Sequence, residues 1–280
     1  MDRVLLIDGS NLLFQMFFGM PARIVNSEGK AIQGTLGFVG ALLKMIRMVQ
    51  PGHVAVFFDG EHENPRTALD GAYKANRAED ERLEEESPFS QLPDICRVLE
   101  HLEVKYAETV DCETDDWMAG YARQFGGEAE IVIASMDSDF FQLITPNVRI
   151  LRYRGKSSVL CDERYVREKL GIEPSQYADF KALTGDASDN IPGVSGVGPK
   201  TAAWLLSEFG TLDGVLANVD RINKPSVRRS IAENIDRLRL NERLIRLEGV
   251  RELPFALEEL RWTDTGVTTV QALRNVGLYD

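Results

Sequence analysis

Short, wholly apolar runs that close on an aspartate punctuate the first half of the chain. VLLID (4–8) and VAVFFD (54–59) end this way, and EIVIAS (130–135) leads into MDSDFFQLI. Uninterrupted apolar runs of this length predict strands buried on both faces, as in a parallel sheet. VRILRY (148–153) predicts a fourth, and VKYAET (104–109) a shorter strand. Between them, apolar positions recur at helical spacing. Residues 34–49 do so up to Pro51, and residues 88–102 do so through Leu92, Ile95, Val98, Leu99 and Leu102. ETDDWMAGYARQF (113–125) predicts a third helix, with acids in its first turn, where the helix dipole favours them. Alternation of this kind predicts an α/β core with a mostly parallel sheet and helices on both faces.

The pattern changes after about residue 165. YVREKLG (165–171), PSQYADFKALTG (174–185), PKTAAWLLSEFG (199–210) and LDGVLANVD (212–220) predict successive short helices, several ended by glycine. Residues 226–248 predict a longer charged helix or a pair, and ALEELRW and VTTVQALRNVG predict short helices in the tail. The chain thus divides into an α/β part, 1–170, and a helical part, 171–280. No internal repeat or low-complexity segment interrupts it.

Ligands of open α/β sheets lie at the carboxyl ends of the strands. Asp8 and Asp59 fall there, and Asp137 and Asp139 follow the third buried strand within a few residues. Glu113, Asp115 and Asp116 open one helix, and Asp186 and Asp189 repeat the three-residue spacing in GDASDN. Taken singly, each acid also reads as a turn residue, a cap or a dipole partner. Taken together, they would repel one another strongly in one place unless cations neutralised them. Oxygen-only ligands indicate Mg²⁺ or Mn²⁺ rather than zinc. His53, His62 and His101 are scattered and read as non-ligands. A two-metal centre suits phosphodiester hydrolysis and needs no side-chain nucleophile. Neither a nucleophile elbow nor a Walker loop is present.

Two further features bear on nucleic acid. In GVSGVGPKTA (193–202), Gly193, Gly196 and Gly198 permit a tight turn, and Pro199 suits the first turn of a helix. The spacing matches a helix–hairpin–helix that grips DNA phosphates without reading bases, with Lys200 and Thr201 at the helix start. A ligand-free glycine turn between helices is the plainer reading. In AYKANR (72–77), Lys74 and Arg77 are three apart on an expected helix beside the second strand, positioned to contact a scissile phosphate or simply to solvate the surface.

Composition adjusts this picture without changing it. The 280 residues carry a net charge of −12, which argues at first against a nucleic-acid partner. A carboxylate cluster inflates that count, however, and the basic residues concentrate in 66–82, 149–156, 221–229 and 237–251. No apolar run is long enough to span a bilayer, and the apolar N-terminus is too short for a signal peptide, so a cytoplasmic protein is expected. Cys96, Cys112 and Cys161 are too few and too far apart for a disulfide framework or a zinc site.

LLIDGSN (5–11), VFFDG (56–60), YKANR (73–77), ETDD (113–116), MDSDFFQL (136–143) and ALTGDASDNIPGVSGVGPKTA (182–202) together resemble the bacterial 5′-3′ exonuclease/flap endonuclease family. That family includes the N-terminal nuclease domain of DNA polymerase I. The likeness runs in order through residues 3–250. It implies a PIN-like, resolvase-like core with a helical arch, and a helix–hairpin–helix of the H3TH type. It implies a first metal site of Asp8, Asp59, Glu113, Asp115 and Asp116, a second of Asp137, Asp139, Asp186 and Asp189, and a potassium ion at the hairpin. Asp115 and Asp137 would be central to catalysis, with Lys74 and Arg77 at the base of the arch. It also implies cleavage at 5′ flaps, 5′ ends and junctions in replication-primer removal and repair, by a monomer acting on DNA or RNA–DNA primers. Three departures stand out. Gln15 replaces a common arginine, Ser138 replaces a lysine, and the arch segment AEDERLEEESP (78–88) is unusually acidic. Other classes remain in view: a catalytically weak junction binder of the same fold, an RNA-directed nuclease, and a sugar-phosphate phosphatase. The hairpin motif counts against the second. The absence of a nucleophilic DxD after the first strand counts against the third.

Overall fold

A computed structural model describes residues 2–20, 22–60, 65–75 and 87–279. Arg77, His62 and the acidic run 79–86 fall outside the described residues. Five strands run parallel: β1 (Arg3–Asp8), β2 (His53–Phe58), β3 (Lys105–Glu108), β4 (Glu130–Ala134) and β5 (Val148–Arg152). With β6 (Val159–Cys161), which lies antiparallel to β5, they form one sheet of order β3-β2-β1-β4-β5-β6. Chain order reverses at β1, which pairs with β2 on one side and β4 on the other, so the ligand-binding crevice of such a sheet opens at its carboxyl end.

The apolar runs are buried because both faces are covered. Leu6, Phe57 and Ile133 point into a layer that includes α4 (Thr114–Phe125), while Ile7, Val56 and Val132 point into the opposite layer. That second layer holds α1 (Gly9–Gly19), α2 (Gln33–Val49), α3 (Leu92–His101) and the late α11 (Thr269–Asn275). The rest of the chain supplies α5 (Glu163–Leu170), α6 (Tyr177–Thr184), α7 (Pro199–Phe209), α8 (Leu212–Ala217), α9 (Pro225–Glu233) and α10 (Ile235–Ile245). Residues 226–248 therefore form a pair, broken at Asn234, which ends α9 and begins α10. The core does not stop near residue 170: Phe140, Phe141, Leu183, Leu206 and Leu244 belong to one buried cluster with Leu6 and Ile133.

Among the described elements, β6, α1 and a short ribbon have no counterpart in the apolar pattern. α1 follows β1 without a break, and a two-residue ribbon, β7 (Gly185–Asp186) with β8 (Ile191–Pro192), joins α6 to the hairpin. The helix expected through Lys74 is not formed there. Lys74 sits in a turn with φ 53°, and its N–H donates to the carbonyl of Asp189 (3.0 Å), a partner outside any local helix. Among the described residues, no helix is long and apolar enough to cross a membrane.

Candidate active site

Every carboxylate singled out above lies at, or faces, the carboxyl end of the sheet. Asp8 ends β1 and caps α1: one oxygen accepts from the Asn11 N–H (3.0 Å) and the other from the Ser135 hydroxyl (2.8 Å). Ser135 follows β4, so this bond ties the two strands across the point where chain order reverses. Asp59 follows β2; its N–H donates to the Ser10 hydroxyl (2.9 Å) and its carboxylate accepts from the Thr114 N–H (3.0 Å). That second bond brings the start of α4, with Glu113, Asp115 and Asp116, to the strand ends. Asp137 accepts from the Asp139 N–H (2.9 Å), and its own N–H donates to Ser135 (3.0 Å).

Asp186 and Asp189 reach the same place from the helical part, because their loop is fastened to the turn at Lys74. The Asn190 side chain donates to the Ala72 carbonyl (2.8 Å), and the buried Tyr73 hydroxyl lies 3.4 Å from oxygens of both Glu113 and Asp189.

The electrostatics set two groups apart among these acids. Burial first, then Asp59, pushes Asp8 up from 3.8 to about 7, against the Asn11 and Ser135 donors. Burial, then Asp137 and Asp186, pushes Asp139 to about 8. Burial, Asp137, Glu113 and Asp8 hold Asp115 well above the usual carboxylate range. Three other acids have a cation. Arg66 and Lys74 both pair with Glu113, and despite burial they hold it below its ordinary value. Arg66 also takes both oxygens of Asp116, at 2.7 and 3.2 Å. Lys181 pairs with Asp186 (2.6 Å) and, with Ser188, outweighs burial to lower it. Lys74 itself is held above its ordinary range by Glu113, Asp115 and Asp189 despite burial, so it stays an ammonium.

The donor set fits hard divalent cations. All its groups are carboxylates, and Asp8, Asp115 and Asp139 are buried among other acids that raise their proton affinity more than the neighbouring protein cations lower it. As they stand, no three described acids, histidines or cysteines converge closely enough to enclose an ion. Arg66, Lys74 and Lys181 draw carboxylate oxygens toward themselves instead.

Arg66, Tyr73, Ser135 and Lys181 were not legible as site residues. Arg66 lies in a short 3₁₀ turn (Pro65–Ala68) whose sequence has no amphipathic period, and its partners are 47 and 50 residues away. Outside the cluster, His53 is buried in β2 with neither ring nitrogen hydrogen-bonded, and His101 contacts Asn275. The three thiols are free, and burial pushes Cys112 up to about 12.

The hairpin follows β8 directly. A Cβ on Gly193 would lie 2.2 Å from the Thr184 carbonyl oxygen, so this glycine is required by backbone packing. Gly196 has φ +80°, with open space around it. Gly198 is extended and exposed and caps the start of α7, where Lys200 is exposed and Thr201 half-buried. Gln15, at the position where the resembled family commonly carries arginine, donates to the Tyr153 carbonyl (2.7 Å).

With this geometry in place, two family models match consecutive stretches of the chain. The 5′-3′ exonuclease N-terminal resolvase-like domain matches residues 3–171, and the 5′-3′ exonuclease C-terminal SAM fold matches residues 172–267. Similar curated proteins include DNA polymerase I of Rhizobium leguminosarum, 36% identical over 267 residues, covering 92% of this chain and 26% of that protein. The thermostable DNA polymerase I of Thermus thermophilus is also 36% identical, over 259 residues, covering 91% and 30%. The chain thus spans less than a third of the length of these relatives. Among solved structures, a bacteriophage T5 flap endonuclease in a pseudo-enzyme–product complex with DNA and metal ions superposes with a TM-score of 0.73 at 21% identity, covering 88% and 89% of the two chains. A T5 5′-exonuclease with bound zinc ions gives 0.70 at 23%, covering 87% and 89%. The catalytic core of Rad2 with a DNA substrate gives 0.62 at 16%, covering 98% and 85%.

Proposed function

Because the chain belongs to the 5′-3′ exonuclease family, we propose that it is a structure-selective 5′ nuclease, hydrolysing DNA at 5′ flaps, 5′ ends and single-strand/duplex junctions. The observation that carries this reading is the group of carboxylates at the strand ends, with Asp8, Asp115 and Asp139 buried among other acids that raise their proton affinity. In this reading Asp8, Asp59, Glu113, Asp115 and Asp116 hold one Mg²⁺ or Mn²⁺ ion, and Asp137, Asp139, Asp186 and Asp189 hold a second. Such ions supply an activated water and stabilise the leaving oxygen of the phosphodiester. The protein's own part is positional and electrostatic. Lys74, kept charged by its acidic neighbours, donates to the scissile phosphate rather than acting as a base, with Arg77 as its partner in sequence. Gly193, Gly196, Gly198, Lys200 and Thr201 present backbone N–H groups and a cation to duplex phosphates, with a potassium ion at the same loop. The substrate includes RNA–DNA primers, the role is primer removal and repair, and the working form is a monomer in the cytoplasm.

The test is single-turnover cleavage of a 5′-flap duplex, with products mapped against blunt and gapped duplexes, for the wild type, Asp115→Asn and Asp137→Asn, with binding measured in Ca²⁺. Each substitution keeps shape and removes charge. It should abolish Mg²⁺-dependent cleavage and leave junction binding equal or tighter. Cleavage by both variants at the wild-type rate in limiting Mg²⁺ refutes the assignment.

A further inference from the structure

We infer that the Tyr177 hydroxyl, backed by Ser138, fixes the orientation of the Asp139 carboxylate and thereby sets how tightly the second acidic group takes a divalent ion. The inference rests on the metal-dependent reading above and adds a positioning residue to it. Tyr177 opens α6 and is 2% exposed. Its hydroxyl lies 2.8 Å from the Ser138 hydroxyl and 3.3 Å from one oxygen of Asp139. A phenol has a single proton to give. The arrangement that satisfies every oxygen is a chain in which Ser138 donates to Tyr177 and Tyr177 donates to Asp139. A phenol keeps its proton at neutral pH, so it remains a donor.

Phe141 packs edge-on against the ring, with centroids 5.8 Å apart, on the side of the fold that carries Asp139. The need for a fixed donor arises from the neighbours. Asp139 faces Asp137, Asp186 and Asp189, with Lys181 as the opposing charge. A carboxylate among like charges swings away from them unless one oxygen is held. Loss of an outer partner of this kind weakens metal affinity by about 10–100-fold.

The plainer alternative is a buried tyrosine that has simply satisfied its hydroxyl on the nearest oxygens. Titration with Mn²⁺ alone separates the two, reading free Mn²⁺ by electron paramagnetic resonance for the wild type, Tyr177→Phe, Ser138→Ala and the double variant. Asp139→Asn identifies the ion that belongs to this group, since it should remove that class of binding. Tyr177→Phe should weaken the same class about 10–100-fold. Ser138→Ala, which removes the hydroxyl that reaches the phenol, should weaken it about threefold or more. The double variant should be no weaker than Tyr177→Phe, a non-additivity that a merely packed tyrosine does not produce. Melting in EDTA is recorded alongside. A Tyr177→Phe protein of lower melting temperature but unchanged Mn²⁺ affinity overturns the inference and leaves the nuclease reading standing. Wild-type protein that takes up no Mn²⁺ at millimolar concentration overturns both. If Tyr177→Phe does not fold, the half-exposed Ser138 carries the test, and unchanged affinity in Ser138→Ala overturns the inference.

Discussion

Replacing Asp8 by asparagine should stabilise the metal-free protein at alkaline pH and remove that gain in acid. Asp8 is 6% exposed and titrates near 7 instead of 3.8, with burial the largest cause, Asp59 next and Asp137 adding to it. A carboxyl whose folded-state value is raised stabilises the fold while protonated. That contribution is complete below about pH 3.8 and is lost as the pH rises through about 7. The displacement of about three units makes the ionised group cost about 4 kcal/mol at pH 8, and under about 2 kcal/mol at pH 5. Asparagine removes this cost. Its oxygen still accepts from the Asn11 N–H, and the Asn11 and Ser135 bonds to the ionised form are already counted in that net displacement. The gain at pH 8 is therefore about 4 kcal/mol, or roughly 8 °C in melting temperature for a chain of this size. At pH 5 it falls below about 2 kcal/mol, and it vanishes below about pH 3.8. The assay is thermal unfolding in EDTA at both pH values, followed by addition of Mg²⁺ or Mn²⁺. The added ion should raise the wild type and leave Asp8→Asn nearly unmoved, reversing their order. An Asp8→Asn protein that melts below the wild type in EDTA at pH 8, or a gain that grows toward acid, refutes the electrostatic account of the cluster.

Lys74→Ala should lower single-turnover cleavage by about 100–1,000-fold while changing duplex affinity little; equal losses in both would make Lys74 a tether. Gly196→Leu combined with Gly198→Leu should weaken duplex binding about tenfold or more at every base sequence, and unchanged mobility-shift affinity in the folded variant removes the hairpin from the interface. Gly193→Ala should cost about 3 kcal/mol or more in urea unfolding, because the new Cβ meets backbone atoms of Thr184 and Gly185 that cannot yield; a loss below about 0.5 kcal/mol contradicts the packing argument.

The elements legible in advance were those whose burial is complete. β1, β2, β4 and β5 read as apolar runs because helices cover both faces of the sheet, and that covering also places Asp8 and Asp59 at strand ends. α1 was not legible because Gly9, Ser10 and Asn11 read as a turn and LLFQMFF (12–18), interrupted only by Gln15, has no polar face. The available signal was the Asp8 side chain accepting from Asn11, an N-cap rather than a turn. β6 has three residues, and Val159 and Leu160 are exposed, so neither period nor burial marks it. β7 and β8 pair only because α6 ends at Gly185 and Gly193 lets the returning chain pass against Thr184. In the site, residue type revealed which acids gather but not which protein cations they meet. Glu113 and Asp116 share a helix face, as their spacing implies, yet Asp116 is bonded to Arg66 and to the Glu113 N–H (3.3 Å). That division of labour depends on a turn brought in from residues 65–68.

The same local geometry bears on where a bound duplex would be cut. Hairpin and carboxylates are not joined by a free linker: Asp186 pairs with Ile191 in the β7–β8 ribbon, and Gly193 lies against Thr184 immediately afterwards. Asp189 and Asn190, between the two ribbon strands, hold the turn that carries Tyr73 and Lys74 through the Asp189 carbonyl and the Asn190 amide. Asn190 accepts a left-handed φ of 58° to do so, a conformation asparagine tolerates better than most residues. The buried Asn241 side chain of α10 ties the far side of this unit, donating to the carbonyls of Ala182 (3.1 Å) and Pro192 (2.8 Å). A phosphate held at Gly196–Lys200 is therefore set at a fixed offset from Asp186, Asp189 and Lys74. If the hairpin grips duplex phosphates without reading bases, the cut falls at a constant distance from the gripped phosphate whatever the sequence. Selectivity for a junction then comes from which strands reach that offset, not from base contacts.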